Sequence, residues 1–406
     1  MTQLALPQTR RILLGVSGGI AAYKACELTR LLVKAGHQVQ VVMTAGAAHF
    51  VAPLSFQALS GRPVADDLWQ GLAPNGMDHI DLVRAADAFV VAPASADCLA
   101  KAAQGLADDL LSTLMLARGA VPTLLAPAMN REMWDNAAVR RNVELLRRDG
   151  VRIGGPASGE QACGEVGAGR MLEPAALLCE IDALFQPRSL QGRQVLITAG
   201  PTFEPWDAVR GLTNRSSGKM GWALARAAWE RGATVTLVAG PTALEPPHGV
   251  RCVAVESALQ MRDAVQAALR ADGADIFIAA AAVADWRPAE TSTGKLKKRP
   301  GEEPAPLQLQ TNPDILAEVA ARPDAPYCVG FAAEADDLLA HAQAKRLRKN
   351  VPLLVGNLGT QTFGRDDNAC VLIDAAGSRE LPRLPKLEVA RLILDEVALR
   401  APTHRP

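Results

Sequence analysis

Net charge, paired cysteines, long apolar runs and the usual nucleotide fingerprints are all missing from this chain of 406 residues, and each absence excludes something. Lys plus Arg and Asp plus Glu both number 43, so the formal net charge is zero and bulk binding of nucleic acid is not expected. The seven cysteines, Cys26, Cys98, Cys163, Cys179, Cys252, Cys328 and Cys370, contain no C-x-x-C pair and are odd in number. That pattern fits reduced thiols better than a disulfide framework or a thiolate metal site. Nowhere do about 18 apolar residues run together, so no membrane span is expected. The opening residues MTQLALPQTRR lack the segments of a secretion signal, which points to a cytoplasmic protein. Neither G-x-G-x-x-G nor G-x-x-x-x-G-K-[ST] occurs, which removes the dinucleotide fingerprint and the Walker loop. With two tyrosines in the whole chain besides, a short-chain or Rossmann dehydrogenase is a poor fit.

What is present is an ordinary globular composition, 49% hydrophobic and 21% charged, in a chain long enough for two or three domains at roughly 100 to 200 residues each. From Arg11 the order is an apolar strand RILLGV, a Ser-Gly-Gly turn, an amphipathic helix and a second strand HQVQVVMT. The same grammar returns from Arg193, with a longer loop, EPWDAVRGLTNRSS, between strand and helix. Further strands alternate with helices in both halves, which predicts an α/β protein of two Rossmann-like, doubly wound parallel sheets in tandem. The polar stretch QPRSLQGR, 186 to 193, is the expected linker, giving domains 1–188 and 189–406. KLKKRPGEEPAP, 295 to 306, is polar and proline-rich enough to be a mobile loop.

In the first half, Ser17, Gly18 and Gly19 lie between strand and helix, where free backbone N–H groups and the positive helix end favour an anion such as phosphate. Gly15 to Gly19 also matches G-x-S-x-G, but a nucleophile elbow follows several strands and this turn ends the first. Asn130, in PAMNREMW, follows the strand VPTLLA and so stands at the ligand edge of the sheet, where its amide can donate to a carboxylate. His79 is a lone histidine, a type more often a satisfied polar residue than a catalyst. Cys163 sits in GGPASGEQACGEVGAGRM, too glycine-rich for a regular helix or strand and best read as a flap.

The second half offers a comparable set. LTNRSSGKMG, 212 to 221, leads into a helix N-terminus, making Asn214, Ser216, Ser217 and Lys219 candidate phosphate contacts, with a capped helix and a solvated lysine as the plainer reading. Asp285 is read as ending the strand IFIAAAAVAD, Lys295, Lys297 and Lys298 lie in the loop, and Lys345 and Lys349 share a helix face. A triphosphate without a Walker loop needs basic groups gathered from several segments, and these clusters meet that need.

GVSGGIAAYK, the P-x-M-N-x-x-M-W signature and ACGEVGAGRM resemble the flavin-dependent cysteine decarboxylases, while the second half resembles phosphopantothenate-cysteine ligase. In this order the two resemble the bifunctional decarboxylase/ligase family of bacterial coenzyme A synthesis, from about Arg11 to near the C-terminus. The resemblance implies a flavodoxin-like first domain with FMN near Gly15 and Ser17 to Ile20, with Thr44 and Ser95 as further contacts. It implies that FMN oxidises the substrate's cysteine thiol, so that the carboxylate can leave, after which Cys163 returns a proton to carbon. His79 then corresponds to the family's active-site histidine, beside an unusual Asp78, and Asn130 to its carboxylate-binding amide. For the ligase it implies Lys295 as the essential lysine and Asn214 on the acyl-cytidylate. CTP contacts fall on Asn312, Pro313, Asp314, Ile315, Phe331, Lys345 and Lys349, with Asp285 at the same edge and Mg2+ on the phosphates. Asn357-Leu358 departs from the family's frequent Asn-Asp. The implied substrates are 4'-phosphopantothenate, cysteine and CTP, and the implied assembly is a homo-oligomer with trimeric decarboxylase and dimeric ligase contacts. Two other readings compete: a peptidyl-cysteine decarboxylase, which leaves the ligase half without purpose, and a halotolerance-type flavin-binding regulator, which needs no complete catalytic set.

Overall fold

The computed structural model describes residues 9–69, 77–162, 164–297, 306–334, 338–358 and 364–402. The chain divides into two compact units after Gln186. In the first, the strands are β1 Arg11–Val16, β2 Gln38–Met43, β3 Ala88–Ala94, β4 Thr123–Pro127, β5 Arg152–Ile153, β6 Ala157–Glu160 and β7 Val166–Arg170. Its helices are α1 Ala22–Lys34, α2 Ala45–Ala48, α3 Pro53–Ser60, α4 Asp78–Arg84, α5 Ala96–Gln104, α6 Leu110–Ala117, α7 Arg131–Asp135, α8 Ala137–Arg148 and α9 Pro174–Leu184.

β1 to β5 form a parallel sheet in the order β2-β1-β3-β4-β5. A central strand covered on both faces must be apolar at every position, and β3, AFVVAPA, is buried throughout. Successive residues of β1 serve opposite faces: Ile12, Leu14 and Val16 pack with α1 and α9, Leu13 with the side that holds α5, α6 and α8. The order reverses between β1 and β3, so the connections leaving them turn to opposite faces and open a crevice at their carboxyl ends.

The second unit has β8 Gln194–Ala199, β9 Phe203–Pro205, β10 Gly211–Thr213, β11 Thr234–Ala239, β12 Arg251–Ala254, β13 Ile276–Ala279, β14 Trp286–Pro288, β15 Leu309–Thr311, β16 Tyr327–Glu334, β17 Leu353–Leu358, β18 Asp367–Asp374 and β19 Gly377–Pro385. Its helices are α10 Lys219–Glu230, α11 Ala258–Ala271, α12 Ile315–Ala320, α13 Leu338–Arg348 and α14 Lys386–Arg400. The eight-stranded sheet runs β12-β11-β8-β13-β16-β17-β18-β19, parallel as far as β17 and antiparallel beyond it. Here the reversal lies between β8 and β13. Gly221 sets α10 tight on β8, since a Cβ there would fall 2.2 Å from that of Ala199.

Three local expectations change. β13 stops at Ala279, so Asp285 ends no strand. The alanine-rich residues after it have little side chain to pack on a sheet, and their N–H groups turn to the segment after β8, Ala282 to Gly200 O at 2.9 Å and Ala284 to the Thr202 hydroxyl at 3.0 Å. The glycine-rich flap forms an antiparallel hairpin, β6 with β7, with a shift of register between Ala157 and Ser158, because strand pairing needs only backbone. The long loop after β8 contains a second small hairpin, β9 with β10. No helix among the described residues is long and apolar enough to cross a membrane.

Candidate active sites

At the first crevice the turn after β1 is stapled to the end of β3. Ser17 is buried; its hydroxyl donates to Pro93 O at 2.9 Å and accepts from Ser95 N at 2.9 Å, and its own N–H goes to Pro93 O. Its donors are therefore spent inside the protein, and Ser17 shapes the turn instead of offering a proton to an anion. Thr44 and Ser95 differ. Each caps a helix by accepting a backbone N–H, from Ala47 at 3.2 Å and Cys98 at 3.1 Å, and keeps its own hydroxyl proton to give. Gly18 lies against the start of α2, where a Cβ would come within 2.9 Å of the Gly46 carbonyl carbon, while the space at Gly19 is open and Ile20 is exposed. The turn after β1, Thr44 after β2 and Ser95 after β3 thus line one edge of the sheet with bare backbone and neutral donors. Gly15, expected among the cofactor contacts, is a packing position as well: its Cβ would meet Leu111 at 2.4 Å.

Asn130 follows β4 at the same edge, where Ala128 N bonds to Ala94 O at 3.1 Å. Its Oδ1 caps α7 through Glu132 N at 2.8 Å, which aims Nδ2 outward to the Glu165 carboxylate at 2.7 Å. The flap lies flat on this loop through Met129 N to Gly169 O at 2.9 Å and Arg131 N to Gln161 Oε1 at 3.1 Å. Only glycine allows that approach, because a Cβ at Gly169, whose φ is +153°, would fall 2.4 Å from Met129 O. Cys163 lies outside the described residues, but its neighbours Ala162 and Gly164 belong to the tip between Gln161 and Glu165. His79 stands half-buried in the first turn of α4, and no described contact joins it to Asn130 or to the turn after β1. The side chain of Asp78 is not described.

In the second crevice Asn214 donates from Nδ2 to Ala282 O and Val283 O, at 3.0 and 3.2 Å, tying the loop before α10 to the segment after β13. Asn312 is buried; it donates to Ala284 O at 2.8 Å and accepts from Arg287 at 3.0 Å, so much of its capacity serves the fold. Asp314 caps α12 and pairs with Lys349 at 2.9 Å. Burial raises its pKa, but Lys349, the capping N–H and Lys345 outweigh that and hold the carboxyl below its usual range. The NPDI segment, Lys345 and Lys349 are therefore brought together. Ile315 belongs to one core of this unit, Phe331 packs partly buried against another, and Asp285 is exposed in its loop. Lys219 pairs with Asp366 at 2.5 Å. Lys295 and Lys297 are exposed, and Lys298 lies outside the described residues.

Sequence reasoning missed Glu165, the carboxylate on Asn130, and Asp207 and Arg210 in the loop after β9. A carboxylate two residues from the flap cysteine, and an Asp and Arg three apart in a non-helical segment, were the available signals. Among the described residues no three His, Cys, Asp or Glu side chains are placed to hold a metal.

The profile of the flavoprotein family matches residues 3–186, and that of the DNA/pantothenate metabolism flavoprotein C-terminal domain matches residues 190–400. The chain is 48% identical over 392 residues to the coenzyme A biosynthesis bifunctional protein CoaBC of Vibrio vulnificus, covering 96% of this chain and 97% of that one. It is 47% identical over 398 residues to that of Escherichia coli, with coverage of 96% and 97%. To that of Bacillus subtilis it is 44% identical over 397 residues, again with 96% and 97% covered.

Proposed function

The chain belongs to the family of coenzyme A biosynthesis bifunctional proteins, and on that premise we propose which of its residues perform the two reactions. It is an enzyme acting on small molecules: it ligates cysteine to 4'-phosphopantothenate at the expense of CTP, then decarboxylates the product to 4'-phosphopantetheine with FMN. We assign decarboxylation to residues 1–188 and ligation to 189–406.

The turn Ser17 to Ile20 with Thr44 and Ser95 fits the phosphate of FMN: bare backbone at Gly18 and Gly19, two hydroxyl protons to give and no carboxylate among them. FMN, when bound, supplies the oxidation of the substrate thiol and returns the hydride after carbon dioxide is lost. The observation that carries the residue assignment is the Asn130 amide already holding a carboxylate, that of Glu165, at 2.7 Å. The substrate's carboxylate takes that position, Cys163 on the flap gives the proton to carbon, and His79 serves as the acid-base group of the site.

In the second unit Lys295, Lys345 and Lys349 neutralise the triphosphate, and Asn214 holds the acyl-cytidylate formed when the substrate carboxylate attacks the α-phosphorus of CTP. The backbone of residues 312–314 lines the same edge, with Phe331 and Asp285 beside it. Mg2+ would accompany the triphosphate as its charge partner.

Two finer points belong to this proposal. All six described cysteines are free thiols, which supports a reducing, cytoplasmic setting. Ile20, Tyr23, Phe50 and Leu54, beside the flavin turn, are all exposed. Their exposure supports a homo-oligomer in which a further copy would cover them, with the trimeric contacts of this unit and the dimeric contacts of the ligase following from the family resemblance.

The test is an absorbance spectrum of the purified protein, followed by addition of 4'-phosphopantothenate, cysteine, CTP and Mg2+ with mass detection. Yellow protein that releases pyrophosphate and then 4'-phosphopantetheine is expected. In the same assay Cys163→Ser accumulates an oxidised, decarboxylated product, and unchanged output of the saturated product would remove Cys163 from the mechanism.

A further inference from the structure

Asp207 is the most heavily bonded carboxylate near the second crevice, and its bonds lead to the lysine loop. Its side chain is fully buried. Oδ1 accepts from Val209 N at 2.8 Å and Arg210 N at 2.7 Å; Oδ2 accepts from Arg210 Nε at 3.0 Å and Nη2 at 2.6 Å. The Oδ2 atom also takes the N–H of Leu296 at 3.2 Å, and Arg210 Nη2 donates to Leu296 O at 2.9 Å. Both backbone groups of the residue next to Lys295 are thus held by one ion pair. Two more ties run the same way, Ser292 N to Trp206 O at 3.0 Å and the Thr291 hydroxyl to Pro205 O at 3.0 Å. Leu296 itself buries little, the residue being 54% exposed, so apolar packing is not what holds the segment. The Arg210 guanidinium, followed by the three backbone N–H groups, holds the Asp207 carboxyl far below the usual carboxylate range, so the clamp stays charged.

We propose that Asp207 is a positioning residue for ligation: through Arg210 and the Leu296 backbone it anchors the start of the lysine loop and sets where the Lys295 side chain begins. This rests on Lys295 acting in ligation, as proposed above. A lysine on an untethered loop would have to be ordered at every turnover, and the clamp removes that cost before substrate arrives. The same contacts correct the expectation that the loop is mobile from residue 295 onward, since its first residues are tied down.

The experiment uses the full-length holoprotein, whose flavin absorbance and decarboxylation report on the other unit. Asp207→Asn keeps the shape and removes the charge that holds Arg210 and Leu296. It should lower ligation kcat by about 10- to 100-fold, with KM for CTP changed much less. It should also speed trypsin cleavage after Lys295 or Lys297, with flavin content unchanged. Leu296→Pro removes the N–H given to Asp207, along with the leucine side chain and some backbone freedom at Lys295, and should move both readouts the same way. In a Lys295→Gln background, with product followed by mass under single turnover, Asp207→Asn should cost little more, because its effect passes through that lysine. An equal loss in both backgrounds, or unchanged trypsin sensitivity, would overturn the proposal. If Lys295→Gln itself ligates normally, the ligase assignment fails, while trypsin still reads the clamp.

Discussion

The two crevices lie at equivalent places, outside the reversal point of a parallel sheet, yet they are furnished differently. The first is lined by glycine backbone and the neutral hydroxyls of Thr44 and Ser95, with Ser17 locked beneath them. The second holds cations that already have carboxylates, Lys219 with Asp366 and Lys349 with Asp314. A site that retains one phosphate-bearing cofactor does best with preorganised donors that have nothing to give up. A site that admits a triphosphate and releases pyrophosphate must let go of it, and cations that return to internal carboxylates ease the departure.

The comparison can be broken at its ends. The largest effect is expected from Lys295→Gln, which should lower ligation by at least about 100-fold, in the range seen when one transition-state charge partner is removed. Decarboxylation of supplied 4'-phospho-N-pantothenoylcysteine should be unaffected, and joint loss of both would mean misfolding. Next is Gly18→Ala, which forces a Cβ onto the Gly46 backbone at 2.9 Å. Strain of about 1–3 kcal/mol converts to roughly 5- to 150-fold weaker flavin retention, measured as flavin absorbance per protein after dialysis, while pyrophosphate release continues.

Both variants show how far the sequence could be read. The alternation of strands and helices, the parallel sheets it implies and the turn at Ser17 to Gly19 were legible, because continuous apolar runs and a glycine turn are local signals. The division of labour among glycines was not. Gly15 and Gly18 look alike in GVSGG, and only the fold reveals that one accommodates Leu111 and the other Gly46. Asp285 was placed at a strand end because IFIAAAAVAD is apolar throughout, yet the alanines leave the sheet to bond with the segment after β8. The Asp207 clamp was invisible because its partner, Leu296, is 89 residues away and contributes only backbone. The roles of His79, Asn214 and Lys295 came from resemblance, since nothing in a lone histidine or a loop lysine announces chemistry.

A smaller effect sharpens the contrast. Ser17→Ala leaves Ser95 N–H without its acceptor and should destabilise the first unit by about 1–3 kcal/mol, read by chemical denaturation followed through the flavin. Smaller still, raising salt to about 0.5 M should increase KM for CTP severalfold while changing flavin affinity less, since screening acts on the exposed cations of the second crevice. Equal salt dependence in both would contradict the assignment of neutral and charged sites. The thiols of Cys98, Cys328 and Cys370, pushed by burial up to about 12, should stay unlabelled by iodoacetamide at pH 8 until the protein is denatured.

The most direct test of two crevices performing two reactions is to separate them and recombine. Asn130→Asp, which sets a like charge against the substrate carboxylate, should convert 4'-phosphopantothenate, cysteine and CTP into 4'-phospho-N-pantothenoylcysteine and stop there. Lys295→Gln should make at most about a hundredth as much product from the same mixture, yet decarboxylate that intermediate when it is supplied. Mixed together, the two variants should restore 4'-phosphopantetheine. A mixture that stalls although both variants bind flavin would contradict the account.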